Sequence, residues 1–207
     1  MPYLANNLLP LPQYYKVFMK KIETAIPGVY MIEPRLFKDT RGYFFESYNK
    51  NVYDREVAPI SFVQDNESFS TRGVVRGLHF QRPPYSQAKL VRVIKGVVLD
   101  VAVDIRKGSP TYGKYVKAVL SEENKLQFFI PKGFAHGFAV LSDEALFQYK
   151  CDAFYEPSAE GGIRWNDPDL NIDWGIPADQ IILSAKDELH PWLKDFDSPF
   201  TFEKEPE

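Results

Sequence analysis

Residues 97–105 read VVLDVAVDI, and this stretch decides the fold class. Val97, Leu99, Val101, Val103 and Ile105 share one face, while Asp100, Asp104 and Arg106 point the other way. Period two over this length predicts a half-buried β-strand. Immediately upstream, LVRVI at 90–94 and the pair Lys95-Gly96 predict a preceding strand and a tight reversal, because glycine takes the positive φ that hairpin turns need. The two strands are therefore expected to pair antiparallel. Further short runs, GYFFESY, YVKAVLS, LQFFI, GFAVLS and ALFQYK, alternate with the turn-prone stretches KGSPTYG, SEENK, PKG and SDE. Short strands at such spacing predict an all-β sandwich or barrel. Helical signals are confined to NVYDREV and SAKDELHPWL, too little to cover both faces of a parallel sheet.

Composition agrees with this reading. A chain of 207 residues with 44% hydrophobic residues has enough apolar material for one large domain. The 16 prolines, 12 glycines and 15% aromatics favour short strands and punctuated turns over long helices. A net charge of −3 argues against a general nucleic-acid binder. The single cysteine, Cys151, excludes a disulfide framework and a multi-cysteine zinc site, and fits a reducing compartment such as the cytoplasm. No apolar run approaches the roughly 20 residues of a membrane-spanning helix, so no membrane association is expected. MPYLANNLLPLPQYYKVF lacks a basic start followed by an uninterrupted apolar stretch, so it does not read as a secretory signal. Alternation begins after Met19; residues 1–20 are accordingly set apart as an extension, 21–195 as the domain and 196–207 as a polar tail whose last residues fray.

Four polar residues invite a chemical reading beside a structural one. In VVRGLHFQ, alternation puts Val75, Gly77, His79 and Gln81 on one face and Arg76, Leu78 and Phe80 on the other. His79 is either a core histidine satisfied by one hydrogen bond or a general base, since imidazole titrates near neutral pH. Tyr149 shares a face with Phe147 and Cys151; it either packs or donates a proton. Asp187 follows Ser184 at capping-box spacing, so it holds a short helix start or fixes the tautomer of His79, two roles that compete for the same oxygens. Lys89 opens a strand as a solvated edge charge or, inside a pocket, stabilises an oxyanion. A metal-dependent cupin would need several His and carboxylate ligands, whereas the chain has only His79, His136 and His190. No Gly-rich phosphate loop or CxxC pair is present.

With these segments in view, the chain resembles the dTDP-4-dehydrorhamnose 3,5-epimerase family of cupin-like jelly rolls. The resemblance runs from about Ile22 to about Leu193 through DTRGYFFESYN, FVQDNESFS, VVRGLHFQ, AKLVRVIKG, DVAVDIR, ENKLQFFIPKGFAHGF, YKCDAFYEPSAEGGIRWNDPDL and LSAKD. It implies an antiparallel jelly-roll barrel with a few short peripheral helices. It also implies cofactor-free epimerisation of a dTDP-linked 4-keto-6-deoxy sugar, without a metal, by a homodimer that exchanges a strand or arm near the site. By the same resemblance His79 matches the base, Asp187 its dyad partner, Tyr149 the acid and Lys89 the cation beside the C4 oxygen. Arg41, Glu46, Gln64, Asn66, Arg76, His136, Glu160 and Lys186 fall where the family contacts the nucleotide sugar, and Tyr155 matches the residue that stacks on thymine. Strict alternation turns Arg76 away from His79, so its role requires a bulge, a strand end or a site shared with a partner subunit. Ala88 departs from the glycine of many relatives and adds little bulk. Two alternatives stay open: a single-centre C3 or C5 epimerase, or a non-catalytic jelly roll that binds a nucleotide sugar.

Overall fold

The computed structural model describes residues 18–203. Two antiparallel sheets face each other. One has six strands in the order β1 (Met19–Glu23), β2 (Tyr30–Pro34), β10 (Gln127–Ile130), β7 (Lys89–Lys95), β12 (Glu144–Cys151), β5 (Gln64–Thr71). The other has five, β13 (Glu160–Gly162), β6 (Val75–Gln81), β11 (Phe134–Val140), β8 (Val97–Asp104), β9 (Tyr115–Ser121). A separate hairpin joins β3 (Phe37–Asp39) to β4 (Gly42–Phe44), and one α-helix, α1, spans Lys50–Glu56. The expected all-β jelly roll with sparse helix is thus the architecture observed.

Between the sheets lies an apolar core built from alternate residues of both, including Val91, Val98, Leu120, Phe128, Phe138 and Phe147. Each sheet is also covered on its far side. Val75, Leu78, Phe80, Leu99, Val101, Val103 and Ile105 meet Ile163, Leu170, Trp174 and Phe200 from the C-terminal segment. Leu90 and Phe129 meet Tyr53 of α1, whose hydroxyl donates to Gln127 Oε1 at 2.7 Å. Ala88 fills this second outer layer.

These outer layers correct the reading of residues 97–105. β8 is buried on both faces, not half-buried. Its apolar face packs under the C-terminal segment, whereas Val98, Asp100 and Ala102 turn toward the space between the sheets. The expected hairpin is also absent: β7 and β8 belong to different sheets. Gly96 has φ +84, and a Cβ there would stand 2.1 Å from the carbonyl of Glu144, so glycine is required at this corner. The corner carries the chain across from one sheet to the other. Turn chemistry reports that the chain bends, not which strands accept its hydrogen bonds.

The helical expectation holds for 50–56, with Asn49 capping the N-terminus through Val52 N, and fails for 184–193. There the chain makes turns at 185–188 and a 3-10 turn at Leu193–Asp195. Of the stretch set apart as a tail, Phe196 and Phe200 pack on the outer core and Ser198 Oγ donates to the carbonyl of Ile105. Met19 and Lys20 form the start of β1. The rest of the N-terminal extension, 1–17, and residues 204–207 lie outside the described residues. Among the described residues no helix is long and apolar enough to cross a membrane.

Candidate active site

β6 carries one extra residue against β11. His79 pairs with His136, but Arg76, three residues earlier, pairs with Phe138, only two residues on. This bulge reverses the alternation, so Val75, Leu78 and Phe80 face the outer core while Arg76 and His79 line the same inner recess. The sequence assignment of Val75 to the face of His79 is corrected accordingly, and the bulge resolves the position of Arg76. Gly77 makes it feasible: its φ is +135, and a Cβ would lie 2.5 Å from Gly137 Cα.

His79 and Tyr149 approach one cleft from opposite sheets. The cleft encloses about 320 Å³ and is lined by Gln64, Asn66, His79, Lys89, Tyr149 and Tyr155, with Glu160 at its wall. A deeper recess of about 150 Å³ shares His79, Lys89 and Tyr149 and adds Ser68, Arg76 and His136. Lys89 is no edge charge. It sits on a central strand between β10 and β12, its Nζ 5.9 Å from the centre of the Tyr149 ring.

His79 Nε2 is hydrogen-bonded to Oδ1 of Asp187, a carboxylate that is only 2% exposed. Oδ2 of the same carboxylate accepts from Ser184 Oγ at 2.9 Å. No helix starts here, so the capping role expected of Asp187 falls away; its two oxygens serve the ring of His79 and the hydroxyl of Ser184, which itself accepts from Asp187 N at 3.4 Å. Burial raises the pKa of Asp187, but the hydrogen bonds from His79 and Ser184 outweigh it and hold the carboxyl below its usual range. Burial pushes the Tyr149 phenol up, keeping it protonated at neutral pH, and pushes the Lys89 ammonium down. Such a constellation can take a proton from one side of a ligand, return one from the other, and offset a negative charge between them.

The remaining predicted contacts divide. Tyr155 N donates to Gln64 Oε1 at 2.8 Å, and Gln64 Nε2 donates to Asn66 Oδ1 at 2.9 Å, which ties three of them together at the mouth. Lys186 Nζ binds Glu160 Oε2 at 2.7 Å beside them. Arg76 is braced by Ser70 Oγ at 3.1 Å and by the carbonyl of Phe69. Arg41 and Glu46 do not line this cleft. Arg41 sits at the β3–β4 hairpin, paired with Asp39, and Glu46 accepts from Asn49 Nδ2 at 3.1 Å.

Three participants escape the sequence reading. Asp100 is completely buried and binds His136 Nε2 at 2.9 and 3.1 Å. Burial raises the pKa of Asp100 and lowers that of His136. Gln81 is buried in the cleft wall and pins the 154–156 loop through the carbonyl of Phe154 and the amide of Glu156. His190 lies edge-on to His79, ring centres 5.6 Å apart. Alternation gave a signal only for Gln81, which shares the face of His79.

The chain's likeness to known proteins agrees with this geometry. The profile described as dTDP-4-dehydrorhamnose 3,5-epimerase matches residues 23–195. A dTDP-4-dehydrorhamnose 3,5-epimerase from Shigella flexneri is 55% identical over 170 residues, 82% of this chain and 93% of that protein. The crystal structure of a dTDP-6-deoxy-D-glucose-3,5-epimerase from Legionella pneumophila, in complex with dTDP-4-keto-L-rhamnose, superposes with a TM-score of 0.86. It is 47% identical and covers 90% of this chain and 100% of that one. A 3'-monoepimerase from Streptomyces bikiniensis, in complex with dTDP-quinovose, superposes at 0.76 with 32% identity, covering 83% and 86%. On sequence and fold together, this chain belongs to the dTDP-4-dehydrorhamnose 3,5-epimerase family.

Proposed function

We propose that the chain catalyses the cofactor-independent 3,5-epimerisation of dTDP-4-dehydro-6-deoxy-D-glucose to dTDP-4-dehydro-L-rhamnose. The observation that supports this best is the arrangement of a His–Asp dyad and a protonated tyrosine on facing sheets of one cleft. The C4 ketone acidifies the hydrogens on C3 and C5. His79, held by Asp187 through Nε2, accepts the carbon-bound proton at Nδ1, and the electron pair moves onto the C4 oxygen as an enolate. The ammonium of Lys89 stabilises that oxygen; removing one such donor typically costs about 3–4 kcal/mol of transition-state stabilisation. Tyr149 gives its phenolic proton to the opposite face of the same carbon, which inverts it. Exchange with solvent then discharges His79 and reprotonates Tyr149, and the cycle repeats at the second carbon.

Arg76 and His136 hold the polar end of the ligand in the inner recess, Gln64, Asn66, Glu160 and Lys186 contact it nearer the mouth, and Tyr155 stacks on thymine. The working enzyme is a cytoplasmic homodimer. Support for the dimer comes from the β3–β4 hairpin, whose Tyr43 and Phe44 are exposed and whose Arg41 reaches no group of its own cleft. In this reading Arg41 and Glu46 complete the diphosphate site of the other subunit. A free, buried Cys151 agrees with a reducing compartment.

The test is incubation with dTDP-4-dehydro-6-deoxy-D-glucose in deuterium oxide, following C3 and C5 by NMR and mass spectrometry. Deuterium at both carbons with inverted configuration is expected. Label at one carbon only would assign a single-centre epimerase, the reading favoured by the likeness to the Streptomyces 3'-monoepimerase. No exchange from a folded protein that still binds nucleotide would assign a binding module. His79→Asn is expected to lower turnover by ~10² to 10⁴, and near-normal turnover would remove His79 as the base.

A further inference from the structure

The epimerisation chemistry uses His79 and Asp187 and leaves His190 without a task. Its Nε2 is buried, has no hydrogen-bond partner among the described residues, and stands 3.8 Å from Asp187 Oδ1. A buried polar atom without a partner calls for an explanation, a missing ion being one. The ring is seated against Gly162, where a Cβ would stand 2.5 Å from Nε2, so only glycine lets the ring take this position beside Asp187. Nε2 of His79 meets the same Oδ1 from the cleft side.

We propose that His79, Asp187 and His190 form a binding site for a divalent transition-metal ion of the zinc class, and that filling it switches the enzyme off. One nitrogen from each imidazole and one carboxylate oxygen lie within 4.8 Å of one another. Donors bound to one zinc ion at about 2.0–2.2 Å stand roughly 3.3 Å apart, so the widest pair must close by about 1.5 Å while the hydrogen-bonded His79–Asp187 pair opens to admit the ion. Two imidazoles with a carboxylate suit Zn²⁺ and its neighbours and not Mg²⁺ or Ca²⁺, which prefer oxygen ligands. Ser184 Oγ already holds the second carboxylate oxygen, the outer-sphere support that such sites use. The cleft beside His79 supplies room for a water ligand.

Inhibition follows from the tautomer. In the dyad the proton of neutral His79 is on Nε2 and the lone pair of Nδ1 is free. A metal on Nε2 binds the lone pair of that nitrogen, so the ring's one proton must move from Nε2 to Nδ1, and with both nitrogens occupied the ring can no longer accept a proton from carbon. This second half of the proposal rests on His79 being the base; the binding half does not.

Binding is therefore measured first, on the protein stripped with a chelator and without nucleotide sugar, whose diphosphate would sequester metal. Co²⁺ is titrated by visible absorption and Zn²⁺ by calorimetry. One ion per chain with micromolar affinity is expected, weakened at least ~10-fold in His190→Ala. His190→Gln, checked by circular dichroism, replaces that variant if it does not fold. No saturable binding at millimolar metal, or binding that neither variant weakens, overturns the site. Saturating Zn²⁺ should then abolish deuterium incorporation into the sugar, reversibly with chelator. Undiminished exchange by the metal-loaded protein overturns the inhibitory role while leaving the site itself.

Discussion

His79 and His136 stand directly opposite each other on β6 and β11, and each presents Nε2 to a buried carboxylate. The two pairs nevertheless have different electrostatics. The side chain of His79 is 35% exposed into the cleft, and its partner Asp187 is held ionised by hydrogen bonds. His136 is 8% exposed, and there burial pushes Asp100 up and His136 down, toward a pair that carries less charge. The same two residue types thus form an accessible imidazole on an ionised carboxylate in one case and a buried pair driven toward lower charge in the other. The balance at the carboxylate separates them, because desolvation acts against the charged form of both and hydrogen bonds outweigh it at Asp187 but not at Asp100.

Substitution at the two carboxylates tests this division. Asp187→Asn should lower turnover by at least ~10², since the amide can neither fix the reactive tautomer nor stabilise the imidazolium. Asp100→Asn should lower it by less than ~10-fold, because it leaves a hydrogen-bonding partner for His136. Equal losses in deuterium-exchange assays would erase the distinction. Gly77→Ala attacks the bulge that brings Arg76 and His79 to one side. It should destabilise the fold by about 1–3 kcal/mol in urea titrations, and turnover should fall by more than stability accounts for. Asp100→Ala leaves the buried His136 nitrogen unpaired, and a loss of about 1–3 kcal/mol in unfolding free energy is expected.

The smallest effect is the sharpest comparison, because its sign differs between the pairs. The pKa of Asp187 is lowered on folding, so its contribution is complete above the unfolded value of about 3.9 and is lost as pH falls through the folded value. For Asp100 the folded value is raised, so ionisation weakens the fold as pH rises from about 3.9 through it. On acidification the stability advantage of wild type over Asp187→Asn should shrink, whereas its advantage over Asp100→Asn should grow. Denaturant titrations between neutral and acid pH read both slopes, and slopes of one sign would contradict the contrast.

Much of this was legible in the chain itself. Alternation at 97–105, 115–121 and 145–150 specified strands, because a pleated strand has a fixed side-chain period. It also put Tyr149 on the face of Phe147 and Cys151, which is where the structure has it. The resemblance to the family singled out His79, Asp187 and Lys89 for chemical roles. Period two does not say what covers each face, however, and so Asp100 read as a solvent-facing residue although both faces of β8 are roofed. A one-residue bulge is invisible to alternation and reverses it, which is why Arg76 pointed the wrong way on paper. The corner at Gly96 and the meeting of His79 with Asp187 and His190, more than 100 positions later, depend on how two sheets and a returning C-terminal segment close on one another. Local sequence determined the strands and the side-chain chemistry. Long-range packing alone decided which strands pair, which polar groups lose water and which histidine meets the carboxylate of Asp187, because hydrogen-bond partners and desolvation are properties of the assembled fold.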